Sequence, residues 1–189
     1  MKEKYLKELY KFDQESKSYH VVIDLDTYRD AYSEWDYSPL SNREMDDDLL
    51  EYLMDSSVEI GCKKRMMIDF YIPESLFDAS RERKSIQGFR AYFRYRIRKI
   101  QSERLRLLRQ TLVLFLLGIV FLSSAAMVNR LGINPFVGEI VSEGLFIGAW
   151  VAIWEIFSTV YFEVNNLSQR IKHFRRLETT DIHYYVKSS

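Results

Sequence analysis

The chain has 189 residues with 27 basic and 27 acidic side chains, so its formal net charge is zero. This length suits one modest domain with additions. The single cysteine, Cys62, excludes an intrachain disulfide and fits a reducing compartment. The charge is unevenly spread, because residues 1–80 hold 19 acids and 10 bases, whereas residues 81–110 hold 11 bases and 2 acids. Such asymmetry indicates contact with a membrane surface or nucleic acid.

The chain is predicted to open with a helix and a strand. Residues 1–17 are charged along their length and lack the apolar core of a signal peptide, so we expect any membrane insertion to come from inside the chain. The same residues predict an amphipathic helix with Phe12 on its apolar side. Residues 19–26 alternate in polarity, with Val21 and Ile23 on one side, which predicts a strand with one buried face.

A loop marked by Pro39 leads to a second helix and a second strand. Residues 43–60 predict a helix with an acidic first turn, as the helix dipole favours, capped by Ser41 or Asn42. Residues 63–73 predict a strand that Pro73 ends. Its alternating apolar side chains, which we expect on the buried face, are Met66, Ile68, Phe70 and Ile72.

The basic segment 81–110 predicts a long amphipathic helix that begins near Pro73 or Ser80. Apolar side chains spaced three and four apart form one stripe, and arginines occupy much of the remaining surface. We expect the helix to continue without interruption into the apolar segment that follows it. The stripe consists of Ile86, Phe89, Phe93, Ile97, Ile100 and Leu107.

Two internal segments, residues 111–128 and 140–162, are apolar enough to predict transmembrane helices, because a helix needs about 20 apolar residues to cross about 30 Å of hydrocarbon. The alternative is a pair of buried helices in a soluble protein. A domain this small can hardly cover two such helices from every side, which disfavours that alternative. Residues 129–139 would form a short external loop, with Gly132 and Pro135 in a tight turn.

The flanking charges predict the orientation of this hairpin. Many bases precede the first span and four follow the second, whereas the connecting loop has the single base Arg130. Because basic residues concentrate in cytoplasmic segments, both termini are expected in the cytoplasm.

The chain ends with a predicted amphipathic helix and a strand of β-branched and aromatic residues, DIHYYVK. Two strands alone are marginal in water, so we expect this tail to return to the sheet of the first two strands. The predicted fold class is α+β: a small cytoplasmic domain of sheet and helices with an inserted two-helix transmembrane hairpin. Residues 1–80 and 163–189 would build the domain, with residues 81–110 as a basic helical neck.

Four phrases of the sequence resemble a widespread family of uncharacterised bacterial membrane proteins. These phrases are DYSPLSNREMDDDLLEYLMDSS, IDFYIPES, FRAYFRYRI and EGLFIGAWVAIWE, which together cover most of residues 35–163. In that family an acidic domain precedes two spans, and the second span contains a G-W-V-A-x-W pattern. The resemblance implies a multi-pass protein of the bacterial inner membrane and adds nothing about its activity or mechanism.

The second span carries one carboxylate, Glu155. It shares a helix face with Gly148, Ala152 and Thr159, and Gly144 forms a G-x-x-x-G pair with Gly148 that permits close helix contact. A carboxylate in hydrocarbon is costly and normally faces a partner or a wet cavity. Glu155 is therefore a candidate proton or ion relay or assembly contact, unless it lies near cytoplasmic water. We hypothesise that it is buried against the neighbouring span or another subunit.

The basic neck is predicted to contact the bilayer, because a polybasic segment beside a span binds anionic lipid headgroups. The acidic residues 1–80 are also predicted to fold over this neck, and a nucleic-acid surface is the alternative, disfavoured because the membrane is adjacent. The lipid-contact candidates are Arg94, Arg98, Lys99, Arg104, Arg106 and Arg109.

The sequence contains no recognisable catalytic motif, and we expect no cofactor and no metal. Neither acidic group has the glycine spacing of a calcium loop, and the histidines are scattered without ligand spacing. The acidic groups are Asp24, Asp26 and Asp30, and Asp46, Asp47 and Asp48; the histidines are His20, His173 and His183.

These features predict a non-enzymatic membrane protein that acts by assembly, as a homo-oligomer or with a larger membrane partner. The alternative is an oligomeric channel-like or effector protein in which Glu155 lines a pathway. An enzyme using the acidic cluster at the membrane surface is least favoured, because no nucleophile and base can be paired.

Overall fold

The computed structural model describes residues 2–41, 43–128, 130 and 134–187. The candidate cap Asn42 and the turn residue Gly132 lie outside these residues. The chain divides into two compact units, one formed by Met1–Arg98 with Ile171–Ser189 and the other by Lys99–Arg170. In chain order the main elements are α1 (Lys2–Leu9), β1 (Lys11–Asp13), β2 (Ser18–Asp24), α2 (Asp47–Ile60), β3 (Arg65–Ile72), α3 (Ala79–Val128), α4 (Pro135–Ser158), α5 (Asn165–Thr179) and β4 (Asp181–Val186).

The first unit contains a four-stranded sheet in the order β1-β2-β3-β4. The pair β1–β2 is antiparallel, and both β2–β3 and β3–β4 are parallel. The C-terminal strand therefore joins the sheet as expected. Parallel neighbours need a long crossover, and the crossover from β3 to β4 contains both long apolar helices. The fold is mixed α+β, as predicted.

The predicted helix over residues 1–17 is wrong beyond α1. The chain leaves the helix at Tyr10 and forms β1, which places Phe12 against Tyr19 of β2. The Asp13 carboxylate accepts hydrogen bonds from the backbone N–H groups of Glu15 and Ser16, at 3.1 and 3.2 Å. This side-chain turn competes with helix and starts the hairpin, which is why a fourth strand replaces the predicted second half of the helix.

The cap of α2 also differs from the prediction. Asp46 caps the helix, because its carboxylate accepts hydrogen bonds from the backbone N–H groups of Asp48 and Leu49, each at 3.1 Å. The helix consequently begins at Asp47 rather than at residue 43. Ser41 lies five residues before the true cap and has no capping role. An acidic cap also suits the positive end of the helix dipole.

One face of the sheet is covered and the other is open. The predicted inward residues of β3, from Met66 to Ile72, are at most 4% exposed, and Val21 of β2 is fully buried. Phe70 stacks on Phe89 of α3, with ring centroids 5.2 Å apart, so the predicted stripe of α3 packs on the sheet. On the opposite face Val22 and Tyr185 remain 43% and 41% exposed.

The second unit contains the C-terminal part of α3 and the helix α4. Small side chains mark their contact: Ala152 lies opposite Gly118, and a Cβ added to Gly148 would touch the ring of Phe121. The helix α3 runs without interruption from Ala79 to Val128, as predicted. The helix α4 starts five residues earlier than the predicted span 140–162, because Pro135 occupies its first turn and Asn134 caps it.

Among the residues that the structure describes, two helices are long and apolar enough to cross a membrane. In the apolar window of each helix, which is an apolar stretch of 18 residues, only 17% of the residues are buried. A core helix of a soluble protein would be mostly buried, so these two apolar stretches lie outside the core of the described structure. A π-helical turn, Thr159–Val164, connects α4 to α5.

Candidate functional site

Glu155 lies in a groove between α3 and α4. The groove has a volume of about 730 Å³ and is built entirely from residues of the second unit. Its walls carry Arg106 and Arg109 on α3, and Glu155 on α4 with Glu163 on the π-helical turn. Because Glu155, Thr159 and Glu163 are four residues apart, they follow one side of the helix and face the groove together.

The register of α3 and α4 gives the level of Glu155 along the hairpin. Ala152 is opposite Gly118, so Glu155, three residues later, lies near the level of Leu114, which lines the same groove. Three residues correspond to about 4.5 Å along a helix. Glu155 is exposed, and the hypothesis that it is buried against the neighbouring span is wrong for the single chain. Burial against another subunit stays a prediction.

The predicted small-residue face divides into two groups. Ala152 is buried, and Gly148 faces Phe121 of α3. Gly144 instead is exposed, and a Cβ added there would find nothing within 4 Å. The two glycines of the G-x-x-x-G pair therefore do not act together in the contact between α3 and α4.

The candidate lipid-contact residues of the basic neck differ in their contacts within the chain. Arg94 donates to the Glu178 carboxylate of α5 at 3.1 Å, so one candidate for lipid contact is occupied within the domain. Glu178 does not belong to the acidic residues 1–80 that were the predicted partner. Among the residues that the structure describes, none of the remaining candidates makes an ion pair; these are Arg98, Lys99, Arg104, Arg106 and Arg109.

The structure assembles a polar chain that the sequence analysis missed. His20 of β2 binds the Asp69 carboxylate of β3 through Nδ1, at 2.6 Å, and its Nε2 lies 3.0 Å from Ser18 Oγ. This is the order of a serine–histidine–aspartate triad. Ser18, however, is fully buried and also donates to the Met67 sulfur at 3.2 Å, so no substrate reaches its hydroxyl. The arrangement stabilises the sheet rather than activating a nucleophile.

A second histidine faces the same carboxylate. His183 Nδ1 on β4 lies 3.8 Å from Asp69 Oδ1, beyond hydrogen-bond distance, and both atoms are buried without a hydrogen-bond partner among the described residues. Ser18 and His20 are two residues apart on one strand, so their side chains lie on the same face of the sheet. The sequence alone predicts this. Their partner Asp69 follows only from the strand register.

His173 of α5 contacts Ser57 Oγ at 2.9 Å and lies 3.7 Å from Cys62 Sγ. Burial lowers the pKa of His173, and the positive charges of Arg176 and Lys172 lower it further. Cys62 thus has a spatial partner although it has none nearby in sequence. Arg176 is engaged by backbone carbonyls, donating to Ser57 and Lys64 at 2.8 and 2.7 Å.

Four of the six candidate aspartates have structural partners. Lys187 binds Asp24 at 2.6 Å and Asp26 at 3.2 Å, and the first of these hydrogen bonds is the main cause that raises the Lys187 pKa. Asp30 accepts from the Thr27 hydroxyl at 2.7 Å, and Asp46 caps α2. Within the described part of the chain, no group of three or more histidine, cysteine or carboxylate side chains is arranged so that it could hold a metal ion.

No protein-family model matches this chain, nor does any curated protein or solved structure. The resemblance to bacterial two-span proteins therefore stays a prediction.

Proposed function

We propose that this chain is an integral protein of the bacterial inner membrane, anchored by a two-helix hairpin, with an α+β domain in the cytoplasm. It acts by assembly, with itself or with a larger membrane partner, and not by catalysis. The observation that carries this proposal is the pairing of β3 with β4. The hairpin connects these two strands, and strands of one sheet must share one aqueous compartment. Both ends of the hairpin then leave the membrane on the same side.

The surface of the hairpin supports its insertion. The two apolar windows are only 17% buried, which leaves most of their side chains for lipid or another subunit to cover. The described bases Lys99, Arg104, Arg106 and Arg109 precede the first apolar segment without ion pairs, whereas the described part of the connecting loop has one base, Arg130. This distribution supports cytoplasmic termini and contact of the neck with anionic headgroups.

Assembly is supported by Gly144. A Cβ built at this exposed glycine would meet nothing within 4 Å, which leaves room for a second helix to approach, and small residues are enriched in transmembrane helix contacts. We expect self-association through the face of α4 that carries Gly144, with anionic lipid around the neck.

The test combines extraction with oligomer size. Carbonate washing of membranes is expected to leave the full chain in the pellet, and size analysis in mild detergent is expected to give a defined oligomer. Gly144→Leu is expected to reduce that oligomer to a smaller species, because the added side chain prevents close helix approach. Ile153→Leu, a change at an exposed position about half a turn around α4 from Gly144, is the control. Release by carbonate would refute insertion, and a monomeric wild type would refute self-association.

The alternative function, a channel-like or effector oligomer, is favoured by one observation: Glu155 faces a groove and not the contact between the helices. It predicts ion flux in liposomes that is lost in Glu155→Gln. Unchanged flux in that variant, or no flux in the wild type, would leave the assembly function.

A further inference from the structure

We propose that the groove between α3 and α4 binds the headgroup of a zwitterionic aminophospholipid, a lipid that carries both a phosphate and a primary ammonium group. The inference rests on the proposed function, because a lipid reaches this groove only if the hairpin lies in the membrane. It goes beyond that function by assigning a specific ligand class to one site, distinct from the general attraction of the neck for anionic lipid.

The charges of the groove are divided between its two walls. Arg106 and Arg109 line the α3 wall, and Glu155 and Glu163 line the opposite wall. None of these four forms an ion pair within 4.0 Å with any residue in the described ranges. Unpaired charges beside hydrocarbon are costly, so a ligand that neutralises them gains more here than in water.

A ligand with both signs of charge fits this division. A phosphate against Arg106 and Arg109 accepts charge-assisted hydrogen bonds from the guanidinium groups. A primary ammonium against the opposite wall donates hydrogen bonds to Glu155 and Glu163. The walls together carry two positive and two negative charges, so a ligand without net charge leaves no excess. A purely anionic headgroup would face both carboxylates.

The rest of the groove suits the glycerol and acyl part of such a lipid. Apolar side chains, including Val113 and Leu114, line the part that lies toward the centre of the apolar segment. The volume of about 730 Å³ lies in the range of about 300–1,000 Å³ that is usual for small-molecule sites. The lined stretch of α3, from Ser102 to Leu114, extends for about 18 Å at 1.5 Å per residue, which accommodates a headgroup and the start of a chain.

The ammonium group gives the sharpest prediction. Phosphatidylethanolamine can donate hydrogen bonds to the carboxylates, phosphatidylcholine has the charge without a donor, and phosphatidylglycerol lacks the cation. We therefore expect phosphatidylethanolamine to be retained about tenfold over either competitor, the factor that about 1.4 kcal/mol provides.

Native mass spectrometry of the purified full chain, in detergent with equal amounts of the three lipids, measures this preference. Arg109→Gln removes a phosphate contact that all three lipids share and is expected to lower the retention of all three, whereas Glu163→Gln is expected to remove the preference. The matched controls Glu143→Gln and Arg130→Gln, exposed charges outside the groove, are expected to retain it. Thr159→Phe fills the groove without changing charge and is expected to prevent binding of all three lipids there.

The outcomes separate this inference from the proposed function. Release of the chain from membranes by carbonate would refute membrane insertion and the lipid site with it. A chain that stays in the membrane but binds the three lipids equally would overturn only the lipid site. So would a preference that survives in Glu163→Gln, or an unchanged retention of the three lipids in Arg109→Gln. An unchanged thermal unfolding temperature in each variant shows that lost binding does not come from unfolding.

Discussion

At the scale of single residues, the most consequential side chain is Asp69. It lies in the centre of the sheet on β3, its side chain is 3% exposed, and it accepts a hydrogen bond from His20 on β2. A buried carboxylate costs stability unless hydrogen-bonded partners surround it. His20 supplies this partner, and Ser18 in turn holds the other ring nitrogen. The polar chain thus links the first hairpin to the central strand.

Asp69→Asn is expected to lower the free energy of unfolding by about 1–3 kcal/mol, because it replaces a charge-assisted hydrogen bond inside the sheet with a neutral one. Denaturant unfolding of the full chain in detergent measures the loss. Asp181→Asn is the control, since that carboxylate is half exposed and pairs with Arg65 at the surface, where a loss below about 1 kcal/mol is expected. Equal effects of the two substitutions would contradict the role given to Asp69.

At the scale of elements, α3 combines two kinds of helix. Near its start Phe89 and Phe93 are buried and pack on the sheet and on α5, as an amphipathic stripe requires. Near its end Val113 and Val120 are exposed although the segment is apolar all round. The change from one pattern to the other within a continuous helix is what the sequence predicts.

Gly88 fixes where the loop before α2 meets α3. A Cβ at this position would overlap the carbonyl oxygen of Leu40, and a backbone atom cannot yield as a flexible side chain does. Gly88→Ala is therefore expected to lower the free energy of unfolding by about 1–3 kcal/mol through overpacking, although alanine normally stabilises a helix by about 1 kcal/mol over glycine. Near-UV circular dichroism on heating measures the change.

Gly118→Ala, in the same helix, is the control. The new Cβ would lie at an ordinary contact distance, 3.7 Å, from Ala152. No loss of stability is expected there, and a gain of up to about 1 kcal/mol would follow from helix propensity. If Gly88→Ala and Gly118→Ala had the same effect on the free energy of unfolding, the close approach of Leu40 to Gly88 would not affect stability.

At the scale of the whole molecule, the hairpin is an insertion into the crossover between β3 and β4. Because β3 and β4 flank the hairpin and pair in one sheet, both ends of the proposed transmembrane hairpin lie on the same side of the membrane. The charge of the loops then indicates that this side is the cytoplasm. A protein that crossed the membrane only once, or three times, would separate β4 from β3.

Cysteine labelling of spheroplasts tests the orientation. In a Cys62→Ser background, Arg130→Cys is expected to react with a membrane-impermeant maleimide added outside. Tyr37→Cys, at a position that is 90% exposed in the first unit, is expected to react only after lysis. Labelling of Tyr37→Cys in intact spheroplasts, with Arg130→Cys protected, would reverse the proposed orientation.

Much of the fold follows from periodicity, and its failures have identifiable causes. The alternation from Met66 to Ile72 gave the buried face of β3, because a strand turns every second side chain to the core. The helix over residues 1–17 was overextended, since the Asp13 side chain forms a local turn that apolar spacing does not reveal. The early cap at Ser41 failed because the segment before Asp47 bonds to the preceding loop: Ser33 N–H donates to the Glu44 carbonyl, and Asp46 N–H donates to the Ala31 carbonyl.

The sequence by itself determined which segments are apolar all round, which have one apolar face, and where the basic residues lie. These are properties of a segment's own side chains. Only the tertiary structure decided that His20 meets Asp69, that His173 meets Cys62, and that Glu155 and Arg109 line one groove. Such contacts depend on the register between strands and between helices. Packing of distant segments sets that register, and a periodic pattern is compatible with several registers.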